Sequence, residues 1–128
     1  MAFNLIKELK KKNILLAAAS SSKNTREILK RIELIDDFNA IVSGYDIEHG
    51  KPHPEIFLKA VALLKLDPSE CVVFEDSIAG VEAAKAGGFL CVGLDRHNKP
   101  ENYHKADLCV TDLANVHYDT LNKLWETE

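Results

Sequence analysis

Apolar residues at 2, 5, 6 and 9 recur at the spacing of one helical face, so a helix is predicted over residues 2–12. Its lysines, 10–12, fall at the C-terminal end, where the helix dipole favours positive charge. The run ILLAAA, 14–19, reads as a buried strand. Asn24 with Glu27 three residues on has the form of a capping box, and the helix it opens would carry Ile28, Leu29, Ile32 and Ile35 inward. AIVS, 40–43, is a short strand; Pro54 suits the first turn of a helix running to about 65, with Phe57, Leu58, Val61 and Leu64 on its apolar side. Asp67-Pro68-Ser69 is a turn. CVVFE, 71–75, is a strand, 77–86 a helix, and Gly87-Gly88 its stop. FLCVG, 89–93, is a strand; 94–106 is a polar loop with room for one helical turn. LCV, 108–110, is a last strand, and 120–126 a closing helix with Leu121, Leu124 and Trp125.

Strands thus alternate with helices, and most strands are apolar throughout. That combination predicts an α/β domain with a parallel sheet covered on both faces. There is no repeat, low-complexity tract or linker, and 128 residues suit a single domain, 1–128. The formal net charge of −4 argues against a general affinity for nucleic acid or anionic membranes. Cys71, Cys91 and Cys109 each lie in an apolar run and none forms C-x-x-C, so all three are expected to be reduced, buried and small hydrophobes of a cytoplasmic protein. The apolar run 14–19 is too short for the core of a secretory signal, and no stretch is long enough to span a bilayer.

In parallel sheets, ligands bind beyond the carboxyl ends of the strands. The first strand is followed by Ser20, Ser21, Ser22, Lys23 and Asn24, the second by a loop with Lys51, the third by Glu75, Asp76 and Ser77. Hydroxyls and the free N–H groups of a helix opening suit phosphate oxygens. Lys51 suits charge spreading over a transferring phosphoryl group. Two adjacent carboxylates suit magnesium, which takes one or two of them together with water and phosphate. Each piece has a plainer reading: serines cap helices, a lysine before proline lies on the surface, and acids at a strand end answer a helix dipole. The convergence of all three on one end of one sheet favours a site. His49 and His53 read as solvent-facing, and His97, His104 and His117 show no metal spacing.

AAASSSKN, GKPHPEIF and VVFEDSIAGVEAAKAGG resemble, in that order, three motifs of the haloacid dehalogenase superfamily, in its beta-phosphoglucomutase-like branch of phosphatases and phosphohexomutases. The resemblance covers essentially the whole chain. It implies a three-layer, Rossmann-like core. Ser20 would be the phosphate-binding hydroxyl, with Ser22, Lys23 and Asn24 contacting phosphate and sugar. Lys51 would stabilise the transferring group, and Glu75 and Asp76 would help hold Mg2+. The expected partner is a small phosphorylated metabolite, a sugar phosphate.

The family's first motif, an apolar strand ending in D-x-D, does not occur in these residues, nor does the helical cap that follows it. The first Asp of that motif is the nucleophile of an aspartyl-phosphate route. Asp95, near the end of the fourth strand, is the one stand-in, and it reads as a loop residue. The chain as given is therefore expected to be inactive alone, or to be a non-catalytic truncated binding or assembly module or a gene remnant. In the family the first-motif strand lies between those matching 14–19 and 71–75. Without it, two rows of backbone groups lack partners. Three outcomes are open: a complementing segment supplies the strand, the two edges pair directly, or the protein self-associates along them.

Overall fold

The structure, a computed structural model, describes residues 2–127; Met1 and Glu128 lie outside it. The main elements are α1 (Ala2–Lys11), β1 (Ala17–Ala19), α2 (Thr25–Arg31), β2 (Ala40–Val42), α3 (Glu55–Leu64), β3 (Val72–Glu75), α4 (Ile78–Ala86), β4 (Leu90–Leu94), β5 (Leu108–Val110) and α5 (Tyr118–Asn122). Every strand pairing is parallel, as predicted for a Rossmann-like α/β fold. The strands form two sheets. In one, β1 pairs β2, with Ala17 opposite Ala40 and Ala19 opposite Val42. In the other, β4 lies between β3 and β5, with Val72 opposite Leu90 and Leu94 opposite Val110.

Local chemistry sets the boundaries. Asp67 and Glu70 form a reciprocal capping box over the turn before β3. Ser77 Oγ accepts the Gly80 N–H at 2.9 Å and starts α4. Gly88, at φ +87°, supplies the left-handed turn that leads into β4. The capping box expected at Asn24 does not form, for its side chain makes no cap bond. Instead the Thr25 hydroxyl donates to the Ser22 carbonyl at 2.8 Å, and a Ser/Thr turn opens the helix.

Helices cover both faces. On one side α3 and α4 bring Ile56, Phe57, Val61 and Val81 against Val42 and Cys91. On the other, α1 and α5 bring Leu5, Leu9 and Leu121 against Leu90 and Val92. Alternate residues of β4 feed the two layers, which is why that strand is apolar throughout. Several inward assignments change. Of the apolar positions assigned inward on α2, only Leu29 is buried; Ile28 and Ile32, one turn apart, are 49% and 44% exposed. In α3, Ile56 and Ala60 take the inward places and Leu58 faces out. Cys91 is buried, Cys71 half-buried and Cys109 exposed. Cys109 lies on the edge strand β5, whose Leu108 and Val110 face the α1/α5 layer, so alternation turns the thiol outward.

The two sheets do not join, so direct pairing of β1 with β3 is not how the chain satisfies their edges. Between them runs a slot of about 660 Å³, walled by Ala17 and Ala19 of β1, Val72 and Phe74 of β3, Leu9 of α1 and Val61 of α3. The strand expected over 14–19 shortens to 17–19, and Ile14 and Leu15 line the slot, more than a third exposed.

Two substitutions test the layer assignment. Ile56→Ala is expected to cost about 2–5 kcal/mol, and Ile28→Ala about 0.5 kcal/mol. Urea melts check both, the midpoint moving while the slope holds.

Candidate functional site

The carboxyl ends of β1, β2 and β3 lead into the three predicted segments, and the structure draws them toward one another. Glu75, the last residue of β3, is 8% exposed. Its Oε2 lies 2.6 Å from Lys51 Nζ, so the ammonium that follows β2 meets the carboxylate that ends β3. Its Oε1 accepts the Asp76 N–H at 3.1 Å, the Ser77 N–H at 3.3 Å and the Ser77 hydroxyl at 3.1 Å. Both oxygens of Glu75 are thus engaged at the opening of α4, where the dipole favours negative charge. The stem of Lys51 is mostly buried, and its Nζ stands 5.2 Å from the centre of the Phe57 ring. Asp76 is exposed, and its carbonyl accepts the Tyr103 hydroxyl at 2.8 Å.

Ser20 and Ser22 are half-buried; Ser21, Lys23 and Asn24 are exposed. Ser20 Oγ accepts the Ser22 N–H at 3.2 Å, and Ser22 Oγ accepts the Asn24 N–H at 3.1 Å. Each hydroxyl keeps its own proton to donate, so the loop is both a turn and a row of donors. It is tied to the next strand end by the Gly44 N–H, which donates to the Ser22 carbonyl at 3.1 Å. A side chain at Gly44 would overlap the Ser21 carbonyl oxygen. Lys23 Nζ lies 5.3 Å from the centre of the Tyr45 ring, a second contact between the two loops.

Sequence reasoning missed the residues that hold these groups in place. Glu55 sits inside the quoted GKPHPEIF stretch but was given no role. As the first residue of α3 its carboxylate accepts the N–H groups of Glu48 and His49 and approaches His49 Nδ1 at 3.2 Å. Those two amides, above all, bring its acidity to about 2. Glu55 thereby pins the loop that leads into Lys51. Asp46 does the same nearer β2: its Oδ2 accepts the Ser43 N–H at 2.8 Å, and that bond holds it below the usual carboxylate range. Gly80 lies against the Glu75 carboxyl so closely that a Cβ there would fall inside it. An acid opening a helix behind Pro54, and a small residue one turn after a Ser cap, were the available signals.

The other candidates separate. His49 and His53 are exposed, as expected, and stack at 4.8 Å. Asp95 directly follows β4, in the loop as expected, and is 2% exposed; its Oδ1 accepts the Lys99 N–H at 2.8 Å. Among the described residues no group of three or more His, Cys, Asp or Glu is arranged to hold a metal ion. Glu75 and Asp76 nonetheless offer the one or two hard oxygen ligands that suit magnesium. A cation there would share Glu75 with Lys51.

A family model described as a haloacid dehalogenase-like hydrolase matches residues 1–88. The beta-phosphoglucomutase of Bacillus subtilis is 39% identical over 122 residues, which is 95% of this chain and 53% of that protein. The validoxylamine A 7'-phosphate phosphatase of Streptomyces hygroscopicus subsp. limoneus is 31% identical over 91% of this chain and 56% of its own length. The crystal structure of a beta-phosphoglucomutase from Clostridium difficile superposes with a TM-score of 0.91 at 28% identity, over 98% of this chain and 55% of that one. The chain spans about half the length of the curated relatives it matches.

Gly80→Ala is expected to destabilise by about 1–3 kcal/mol through overpacking, although alanine is the better helix former. A substitution that left the melt and the Glu75 and Ser77 amide signals unchanged would remove Gly80 from this role. For Glu55, the folded acidity lies below the ordinary value of 4.5. Its hold on the loop is therefore complete above pH 4.5 and is lost as pH falls toward about 2. The Glu48 and His49 amide shifts should titrate with a midpoint near 2, and Glu55→Gln should abolish that step.

Proposed function

This chain belongs to the haloacid dehalogenase-like hydrolase family, and on that premise we propose that residues 1–128 form one core domain of a cytoplasmic, Mg2+-dependent phosphoryl-transfer enzyme. The reaction is that of a phosphatase or phosphohexomutase of the beta-phosphoglucomutase kind, and the substrate is a sugar phosphate. The observation that carries this reading is the Lys51–Glu75 contact of 2.6 Å. It sets a cation and a pair of carboxylates at the strand ends that also carry the Ser20–Asn24 donors.

The residues divide the work by chemistry. Ser20, Ser21 and Ser22 donate hydroxyl protons to phosphate oxygens, and Lys23 and Asn24 contact the phosphate and the sugar. Lys51 neutralises charge on the equatorial oxygens of the transferring group, the place where phosphoryl transfer develops it. Glu75 and Asp76 would hold Mg2+, which when bound supplies charge neutralisation at a phosphoryl oxygen. Glu75 also positions Lys51, through the bond just described. The attacking carboxylate is assigned to a segment beyond these 128 residues, since D-x-D does not occur in them. Asp95 is not chosen for it, because its carboxylate is buried against the Lys99 amide.

The test is a titration of the chain with Mg2+ and a phosphate mimic, followed through its amide signals, beside hydrolysis of a generic phosphate ester. Shifts at 20–24 and 75–77 without turnover are expected. Lys51→Met should weaken binding of the mimic about 10- to 100-fold, the range of a lost charge-assisted hydrogen bond. No shifts at either segment would remove the reading. Turnover lost on Asp95→Asn would move the nucleophile into this chain and overturn its assignment elsewhere.

A further inference from the structure

We propose that Tyr103 is a positioning residue for the cation site: its hydroxyl fixes the peptide between Asp76 and Ser77, and so sets the direction in which the Asp76 carboxylate leaves the backbone. The inference rests on the magnesium role given to Glu75 and Asp76 above.

Asp76 is exposed, and among the described residues no hydrogen bond or ion pair holds its carboxylate. The aim of that carboxylate is therefore set by the main chain on either side of it. On the near side, the Asp76 N–H donates to Glu75 Oε1 at 3.1 Å. On the far side, the Asp76–Ser77 peptide is held at both ends. The Ser77 N–H donates to Glu75 Oε1 at 3.3 Å, and the Asp76 carbonyl accepts the Tyr103 hydroxyl at 2.8 Å. A peptide unit is planar, so holding both ends fixes its rotation. Glu75 is one clamp on this turn, and Tyr103, 27 residues further along the chain, is the other.

The phenol is itself held in place. Tyr103 is 8% exposed. Its ring lies against Gly93, the β4 residue paired with Glu75, where a Cβ would come within 2.8 Å of the ring Cδ1. Tyr103 ends a single helical turn, Pro100–Tyr103, in a loop tied down at both ends. At its start, Asp95 Oδ1 accepts the Lys99 N–H, and the Asp95 N–H donates to the Val110 carbonyl at 2.7 Å. At its finish, the Asp107 N–H donates to the Cys91 carbonyl at 2.9 Å, while Asp107 Oδ2 accepts the Cys91 N–H and the Lys85 ammonium, each at 2.8 Å. A phenylalanine would fill the same space against Gly93. What the hydroxyl adds is one bond, and that bond goes to the residue whose carboxylate is assigned to the cation. The loop between β4 and β5 thereby acts on the site through Asp76. A ligand group that is already aimed spares the ordering cost of binding.

The experiment compares the 128-residue chain with Tyr103→Phe by NMR, titrating Mg2+ alone. The Asp76 carbonyl 13C signal is expected to move on substitution, reporting the lost bond. The dissociation constant for Mg2+, read from the Asp76 and Ser77 amides, is expected to rise about 2- to 10-fold, the range of one neutral hydrogen bond. Trp125→Phe is the control for general loosening. It removes a bond of the same length outside the site, from the indole N–H to the Ser69 carbonyl at 2.8 Å, and should leave Mg2+ affinity unchanged. Equal Mg2+ affinity in Tyr103→Phe and the unaltered chain would overturn the inference and leave the magnesium reading standing. Equal weakening by Trp125→Phe would also overturn it, since the loss would then be one of overall stability. So would an unmoved Asp76 carbonyl signal. Absence of Mg2+-induced shifts at 75–77 in the unaltered chain would remove the magnesium reading, and this inference with it.

Discussion

The ion pair between Lys51 and Glu75 is the contact on which the candidate site depends. It joins the end of β3, in one sheet, to the loop that leaves β2, in the other. A mostly buried pair of this kind adds little net stability, because desolvating both charges opposes their attraction. Its value lies in position. Glu75 is fixed by three donors at the mouth of α4, so the ammonium it holds is fixed as well. Gly80 leaves room for the carboxyl, and Phe57 flanks the ammonium.

A second set of bonds brings the remaining parts to this pair. Glu55 gathers the amides of Glu48 and His49 at the start of α3, and Asp46 gathers Ser43. The lysine loop is therefore anchored at both ends by carboxylates that are made more acidic by the amides they accept. The serine loop is anchored by Gly44, whose lack of a side chain lets the two loops touch. Rigid support of this kind is what allows exposed loop residues to bind a small anion without a large ordering cost.

The candidate site gathers hydroxyls, an ammonium and carboxylates at the carboxyl ends of β1, β2 and β3. Among the described residues, no strand lies between β1 of one sheet and β3 of the other.

Much of this was legible in the chain itself. The alternation of apolar runs and helical periods specified the parallel α/β fold, and three short stretches named Ser20, Lys51, Glu75 and Asp76. Those signals are local: a period of two or 3.6 residues, a cap, a hydroxyl row. Other assignments depended on what each face meets. Ile28 and Ile32 look inward by period yet are 49% and 44% exposed. Cys109 looks buried by its neighbours yet lies on the uncovered side of an edge strand. The pairing of Lys51 with Glu75, the role of Glu55 and the width of the slot involve residues far apart along the chain, or groups on opposite walls. No local pattern records such distances. They are decided when helices pack on both faces of the strands and the two sheets come to rest side by side.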